Sequence, residues 1–198
     1  MSGPPMMNKA DVRDWWAENP MTYGDTHGRT GFGGQAQEPG SAAFFDALDK
    51  RFYDWNEPLH GERPFSRLFP YGRYGPGARV LEIGCGLGTM AMNWARTGVT
   101  MSAVDLNPTS IAQTRCRFEL NGLAGDIRLM DGNSLDFEDG TFDYVYSWGV
   151  LHHSPDLARS LREMMRVLKP GGGFGLMLYN RKSILHRYLM QYVEGFLH

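Results

Sequence analysis

The segment Val80-Leu81-Glu82-Ile83-Gly84-Cys85-Gly86-Leu87-Gly88 constrains this chain more than any other. It reads as a short apolar strand that runs into a glycine-rich turn and then opens a helix. Glycines in such a turn let the backbone bend tightly and approach a ligand with no Cβ in the way. The residues around it continue the pattern. Short apolar or β-branched runs predict strands at Arg79–Ile83, Val99–Val104, Asp126–Met130, Phe142–Ser147 and Gly173–Tyr179. Between them, helices are predicted from near Gly88, from Asn107–Pro108 (a cap followed by a first-turn proline) and over Asp156–Leu168, ahead of Pro170-Gly171-Gly172. Alternation of this kind predicts an α/β fold: a Rossmann-like, doubly wound, mostly parallel sheet with helices on both faces.

The chain before this unit has a different texture, irregular and rich in glycine, proline and aromatic residues. Asn8 can cap a helix through Val12, Trp15 and Trp16 that Pro20 ends. Gly28 to Gly40 reads as a loop or lid. Ser41 then caps a stronger helix, in which Phe44, Phe45, Leu48 and Phe52 recur at helical spacing. Residues 1–76 are therefore expected to form an N-terminal helical cap, and 77–198 the ligand-binding domain. The final stretch, Arg181 to His198, reads as an amphipathic helix carrying Ile184, Leu185, Tyr188, Leu189 and Tyr192 on one side.

Composition narrows the function classes. A formal net charge of −2 over 198 residues, with no Lys/Arg run, argues against a nucleic-acid partner. No apolar run reaches the roughly 20 residues that a membrane span needs. Met1 to Lys9 has no apolar core of a secretory signal, so the expected compartment is the cytoplasm. Cys85 and Cys116 lie in different elements, and His27, His60 and His186 are scattered, so no metal site is expected.

The spacing of the glycines indicates the ligand. A dinucleotide fingerprint asks for Gly-x-Gly-x-x-Gly, and its sixth position is here Thr89. The glycines fall instead at every second residue, with Glu82 two before the first. A dinucleotide brings a pyrophosphate that wants helix N–H groups. S-adenosyl-methionine has no phosphate; it brings an ammonium, a carboxylate and a sulfonium. An acid such as Glu82 suits its cationic part, and a bare glycine backbone can lie against its methionine tail. Asp105, 21 residues after Gly84, ends the second predicted strand. A carboxylate at the tip of a neighbouring strand can accept both ribose hydroxyl protons.

Further motifs follow in order: Leu129-Met130-Asp131-Gly132-Asn133 with Leu135 and Phe137; Phe142-Asp143-Tyr144-Val145 leading to Leu151-His152-His153; and Arg166-Val167-Leu168-Lys169-Pro170-Gly171-Gly172. With the glycine segment and Asp105, they make the stretch from about Ala78 to Asn180 resemble the class I S-adenosyl-methionine-dependent methyltransferases. The likeness is to their small-molecule group with an N-terminal cap. The resemblance implies a cofactor site built from Glu82, Gly84, Cys85, Gly86, Gly88, Asp105, Leu106, Asp131, Gly132, Asn133 and Ser147. In it, Asp131 would accept a hydrogen bond from the adenine amino group, with the Gly132 and Asn133 backbone near the ring. Leu106 would pack on the adenine face, and Ser147–Trp148 would line the methionine moiety.

Methyl transfer from a sulfonium is an in-line displacement, so much of its catalysis is positioning. A general base is needed where the acceptor arrives protonated. His152 and His153 stand just beyond the fourth predicted strand and are the candidates, His152 slightly ahead. Trp15, Trp16, Tyr23, Phe44, Phe45, Tyr53 and Trp55 are the aromatic candidates for enclosing an apolar acceptor, although the Phe44/Phe45/Leu48/Phe52 stripe reads first as core. By the resemblance, the sheet should continue beyond the fifth strand. The chain is thus expected to be a fragment of a longer protein, or to have its open sheet edge covered by a partner or a second copy. The leading function is methyl transfer to a small-molecule acceptor. A protein that binds S-adenosyl-methionine without turnover is the alternative, ahead of a nicotinamide oxidoreductase.

Overall fold

The computed structural model describes residues 37–180. The expected first helix with Trp15 and Trp16, the loop up to residue 36 with Tyr23, and the helix over 181–198 lie outside these residues. Five strands form one sheet in the order β3-β2-β1-β4-β5. They are β1 (Arg79–Ile83), β2 (Thr100–Asp105), β3 (Asp126–Leu129), β4 (Phe142–Trp148) and β5 (Leu168–Met177). All four pairings are parallel. Among the described residues four α-helices connect or flank them: α1 (Ala42–Trp55), α2 (Thr89–Ala95), α3 (Pro108–Leu120) and α4 (Leu157–Val167). This is the doubly wound α/β architecture that the strand–helix alternation predicts.

The helix starts are written into the sequence. Ser41 Oγ accepts from Phe44 N at 3.1 Å, Asn107 Oδ1 from Thr109 N at 2.8 Å and Asp156 Oδ1 from Arg159 N at 2.9 Å. Each side chain satisfies an N–H that the first turn leaves without a partner. The fifth strand begins earlier than the apolar run suggested. Leu168 already pairs with Phe142, and the ladder then shifts register before resuming at Tyr144 and Gly173. Pro170, which lacks an N–H, and Gly171, at φ +78°, occupy the irregular stretch between those pairs.

Because both faces of a parallel sheet are covered, its central strands are apolar on both sides. Leu81, Val104, Val145 and Phe142 pack with Met164 and Val167 of α4. On the other face Val80, Met101, Ala103, Tyr144 and Tyr146 meet an aromatic layer from the segment before β1. Trp94 of α2 sits at its centre, with ring centroids 4.6 Å from Tyr71, 5.2 Å from Tyr144 and 5.8 Å from Phe69. Of the α1 aromatics, Phe45 and Phe52 are buried with Leu48, as the core reading expects, while Trp55 stands out in solvent.

Arg166 near the end of α4 organises the connection after β3. Its guanidinium donates to Phe137 O and Leu135 O, each at 2.8 Å, and pairs with Glu163 and Asp139. Leu135 N in turn donates to Glu163 Oε2 at 2.9 Å. These bonds fix the chain that leaves Asp131–Asn133. We expect Arg166→Gln to lower unfolding free energy by about 1–3 kcal/mol, since charge-assisted bonds to carbonyls are lost from a partly exposed site. Urea denaturation of both proteins measures it.

Candidate functional site

The carboxyl ends of β1, β2, β3 and β4 open on one cavity, closed on its outer side by Leu48 and Phe52 of α1. Glycine chemistry shapes its floor. Gly84 takes φ +84°, and a Cβ there would fall 2.5 Å from the Val150 side chain. Gly86 takes φ +52°, and a Cβ there would meet nothing within 4 Å. Its missing side chain leaves space that belongs to the cavity, so bare backbone faces the interior.

One carboxylate holds this loop to the next strand. Asp105 Oδ2 accepts from Gly86 N at 2.8 Å, and its Oδ1 accepts from Asn107 N at 2.9 Å. Each oxygen keeps further acceptor capacity toward the cavity. Burial raises the Asp105 carboxyl above its ordinary value, against the pull of these backbone donors.

Glu82 is more unusual. It is 3% exposed, lines the cavity, and its Oε2 has no hydrogen-bond partner among the described residues. Among the described residues the Tyr71 hydroxyl is also buried without a partner, and the Tyr146 hydroxyl is buried beside Glu82. Burial, opposed by a hydrogen bond with Tyr146 and reinforced by the Asp105 charge, pushes the Glu82 carboxyl up to about 8. An acid held this way is waiting for a cation or a donor.

The far end of the cavity is a polar lattice around Asn133. Its N–H donates to Asp131 Oδ1 at 2.9 Å and its Nδ2 to Ser154 Oγ at 2.9 Å. Ser160 Oγ donates to Asn133 Oδ1 at 2.7 Å, and Arg159 Nε to Asn133 O at 2.8 Å. The loop after β3 is thereby locked to the loop that carries the histidines.

Ten of the thirteen residues expected at the site line the cavity: Glu82, Gly84, Cys85, Gly86, Asp105, Leu106, Asp131, Gly132, Asn133 and His153. Three stand just outside. Gly88, at φ +80°, lies against α3, where a Cβ would fall 2.8 Å from Thr114 Cγ2. Ser147 is buried and donates to Ile83 O at 2.8 Å, joining the ends of β4 and β1. His152 turns away, its ring centroid 4.1 Å from those of both His153 and Tyr179. Burial, then the His153 charge, pushes it down to about 4, and burial lowers His153 as well. Sequence reasoning passed over Met130, Leu151, Ser110 and Ser160 as lining residues. Loop side chains carry no period that says which way they face.

The fit to a ligand follows from charge. The acidic groups that line the cavity are the carboxyls of Glu82, Asp105 and Asp131; among the described residues no Lys or Arg lines it beside them, and their neighbours are mostly apolar. A pyrophosphate would be repelled by that set. An ammonium, a pair of ribose hydroxyls and an adenine amino group would each find an acceptor. Among the described residues no group of three or more His, Cys, Asp or Glu could hold a metal ion. No described helix is long and apolar enough to cross a membrane.

Comparison with known proteins agrees. Residues 81–176 match the family model described as a methyltransferase domain. A ubiquinone biosynthesis O-methyltransferase of Xanthomonas axonopodis pv. citri is 35% identical over 142 residues, which cover 69% of this chain. The chain spans 59% of the length of that relative. Among solved structures, the [4+2]-cyclase SpnF superposes with TM-score 0.60 at 24% identity, covering 89% of this chain and 63% of its own. A SAM-dependent methyltransferase from Aquifex aeolicus does so with TM-score 0.52 at 17% identity, covering 68% and 74%. These two likenesses show the fold. The chain belongs to the class I S-adenosyl-methionine-dependent methyltransferases, whose methyl donor is S-adenosyl-methionine.

The buried acid gives a pH signature to the protein without ligand. A carboxyl raised in the folded state favours folding below its unfolded value, 4.5, and that contribution is lost as pH climbs to about 8. Glu82→Gln has no such ionisation. Between pH 6 and pH 9 the stability of the variant relative to wild type should therefore rise by about 2 kcal/mol. Paired urea melts at the two pH values measure it; a constant difference would mean that Glu82 ionises freely.

Proposed function

We propose that this protein transfers a methyl group from S-adenosyl-methionine to a hydroxyl of a small, largely apolar acceptor. The observation that carries the reading is the buried Glu82 carboxyl lining the cavity one strand away from Asp105, with its Oε2 left without a hydrogen-bond partner among the described residues. When bound, the cofactor supplies a methyl carbon made electrophilic by the neighbouring sulfonium.

This chain's own residues do the rest by holding and orienting. Glu82 takes the methionine ammonium, and the bare backbone at Gly84–Gly86, with Cys85, lies along the methionine tail. Asp105 keeps the glycine loop in place with one oxygen and offers both to the ribose hydroxyls. Asp131 accepts from the adenine amino group, Leu106 packs on the ring, and Gly132 and Asn133 border it. Gly88 and Ser147 act from behind, the first by seating α2 against α3, the second by tying β4 to β1.

The acceptor lies between Trp148, Val150, His153 and the α1 residues Leu48 and Phe52, all of which line the cavity. Aromatic and aliphatic walls favour an apolar, ring-shaped molecule. The O-methyltransferase relative favours a hydroxyl as the acceptor atom. His153 is the base. Burial lowers its basicity, so the ring is neutral near pH 7 and ready to take the hydroxyl proton. His152 supports it by ring packing. We read residues 1–76 as a cap, supported by α1 closing the cavity, and 77–198 as the cofactor-binding domain. A partner or second copy over the sheet edge beside β5 remains part of the proposal. The free thiols of Cys85 and Cys116 suit a reducing compartment such as the cytoplasm.

Binding without turnover is the second reading, and SpnF, a cyclase on this fold, shows that the architecture does not by itself choose methyl transfer. Incubation with methyl-labelled S-adenosyl-methionine and a panel of catechols, read by mass spectrometry of product and S-adenosyl-homocysteine, separates the two. We expect a methylated catechol. Tight binding with no cofactor consumed across the panel would favour the second reading. His153→Ala should lower turnover by about a hundredfold, and His152→Ala by less. At saturating S-adenosyl-methionine the wild-type rate should hold level at neutral pH and fall only below the ordinary imidazole value of 6.5, where His153 takes up its proton.

A further inference from the structure

Helix α1 reaches the cavity through Leu48 and Phe52, and between them it carries a carboxylate that belongs to neither the cofactor set nor the acceptor wall. Asp49 Oδ1 accepts from Arg117 Nη1 of α3 at 2.6 Å and from Thr89 Oγ1 of α2 at 2.9 Å. Thr89 is itself a lining residue, the first of the helix that follows the glycine loop. Arg117 is fully buried, with its side chain 0% exposed against 15% for Asp49. The Phe45 ring, one turn before Asp49, lies under the guanidinium at 4.5 Å. Among the described residues Arg117 Nε and Nη2 have no hydrogen-bond partner, so one carboxylate and one ring face compensate this cation.

A buried ion pair is a poor way to gain stability, because desolvating both charges offsets most of their attraction. What it supplies is a defined geometry, since the carboxylate has one place where it meets both donors. Two other polar contacts dock the helix at its ends. Cys116 Sγ donates to Gly40 O at 3.2 Å, and Asn93 Nδ2 donates to Tyr53 Oη at 3.0 Å. The Asp49 contact is the one that couples α1 to a cavity-lining hydroxyl.

We infer that Asp49 is a positioning residue which, clamped by Arg117, holds Thr89 and the Leu48–Phe52 face of α1 as the wall of the cofactor cavity. The inference rests on the reading of that cavity as the S-adenosyl-methionine site. Through the clamp, the N-terminal cap sets the shape of a site whose polar cofactor contacts come from the sheet domain. Loss of the clamp loosens the wall and admits water to the methionine end, even where the fold survives.

The test measures S-adenosyl-homocysteine binding by calorimetry, with thermal melting and hydrogen exchange of residues 42–55 on the same samples. Asp49→Asn should weaken binding by about tenfold and speed exchange in α1. The double variant Asp49→Leu/Arg117→Met removes both charges and keeps the volume apolar, so its melting temperature should return to wild type or above. Its affinity should stay about tenfold low, because Thr89 still lacks its acceptor. Thr89→Val should weaken binding with little change in melting, and Thr89→Ser should restore it. Wild-type affinity in the double variant and in Thr89→Val would overturn the inference and leave the pair a structural staple. Failure of the wild-type protein to bind S-adenosyl-homocysteine would instead overturn the cavity reading, and this inference with it.

Discussion

The Asp105 carboxylate is the tie on which the site depends. It stands at the tip of β2, accepts from Gly86 on the loop after β1, and accepts from Asn107, which caps α3. Three elements are thereby set by two oxygens. Backbone donors would be costly to leave unpaired in a buried loop, so the acid is needed even before any ligand arrives. The same group then faces a cavity beside Glu82, and its charge adds to the cost of ionising that second acid. This arrangement spends stability to keep acceptors in waiting. A ligand carrying an ammonium and hydroxyls returns what the empty site gives up.

Two layers support that arrangement from opposite sides. Below the loop, Trp94 and the Phe69–Tyr71 segment fill the face of the sheet that Tyr144 and Tyr146 present. Beyond β3, Arg166 and the Asn133 lattice fix the loop after β3 and the histidine loop together. The cavity is therefore held by rigid neighbours on the sheet side, while α1 completes it through polar contacts at Gly40, Asp49 and Tyr53.

Much of this was legible in the sequence, for reasons that can be named. Strand-to-helix alternation, the caps at Ser41, Asn107 and Asp156, and the glycine loop are local signals, and local chemistry decides them. Glu82 and Asp105 were legible as cavity-lining acids because a strand that runs into a glycine turn puts its tip at the open end of the sheet. What stayed hidden depends on partners far along the chain. Arg117 reads as a solvated charge until Asp49, 68 residues earlier, is placed beside it. Gly88 could serve ligand or packing, and only the position of Thr114 shows that a side chain there would strike α3. The sequence put His152 slightly ahead of His153, and the order is reversed: a turn over Leu151–His153 sends His153 to the cavity and His152 against Tyr179.

The most direct test of the account is proton release on cofactor binding. Calorimetric titration with S-adenosyl-methionine at pH 7, in two buffers of different ionisation enthalpy, counts the protons exchanged. Glu82 holds its proton in the free protein, with its value pushed up to about 8, and must give it up to pair with an ammonium. Release of nearly one proton is expected, abolished in Glu82→Gln. Binding with no proton released by the wild type would show that Glu82 is not the ammonium's partner, and would contradict the account.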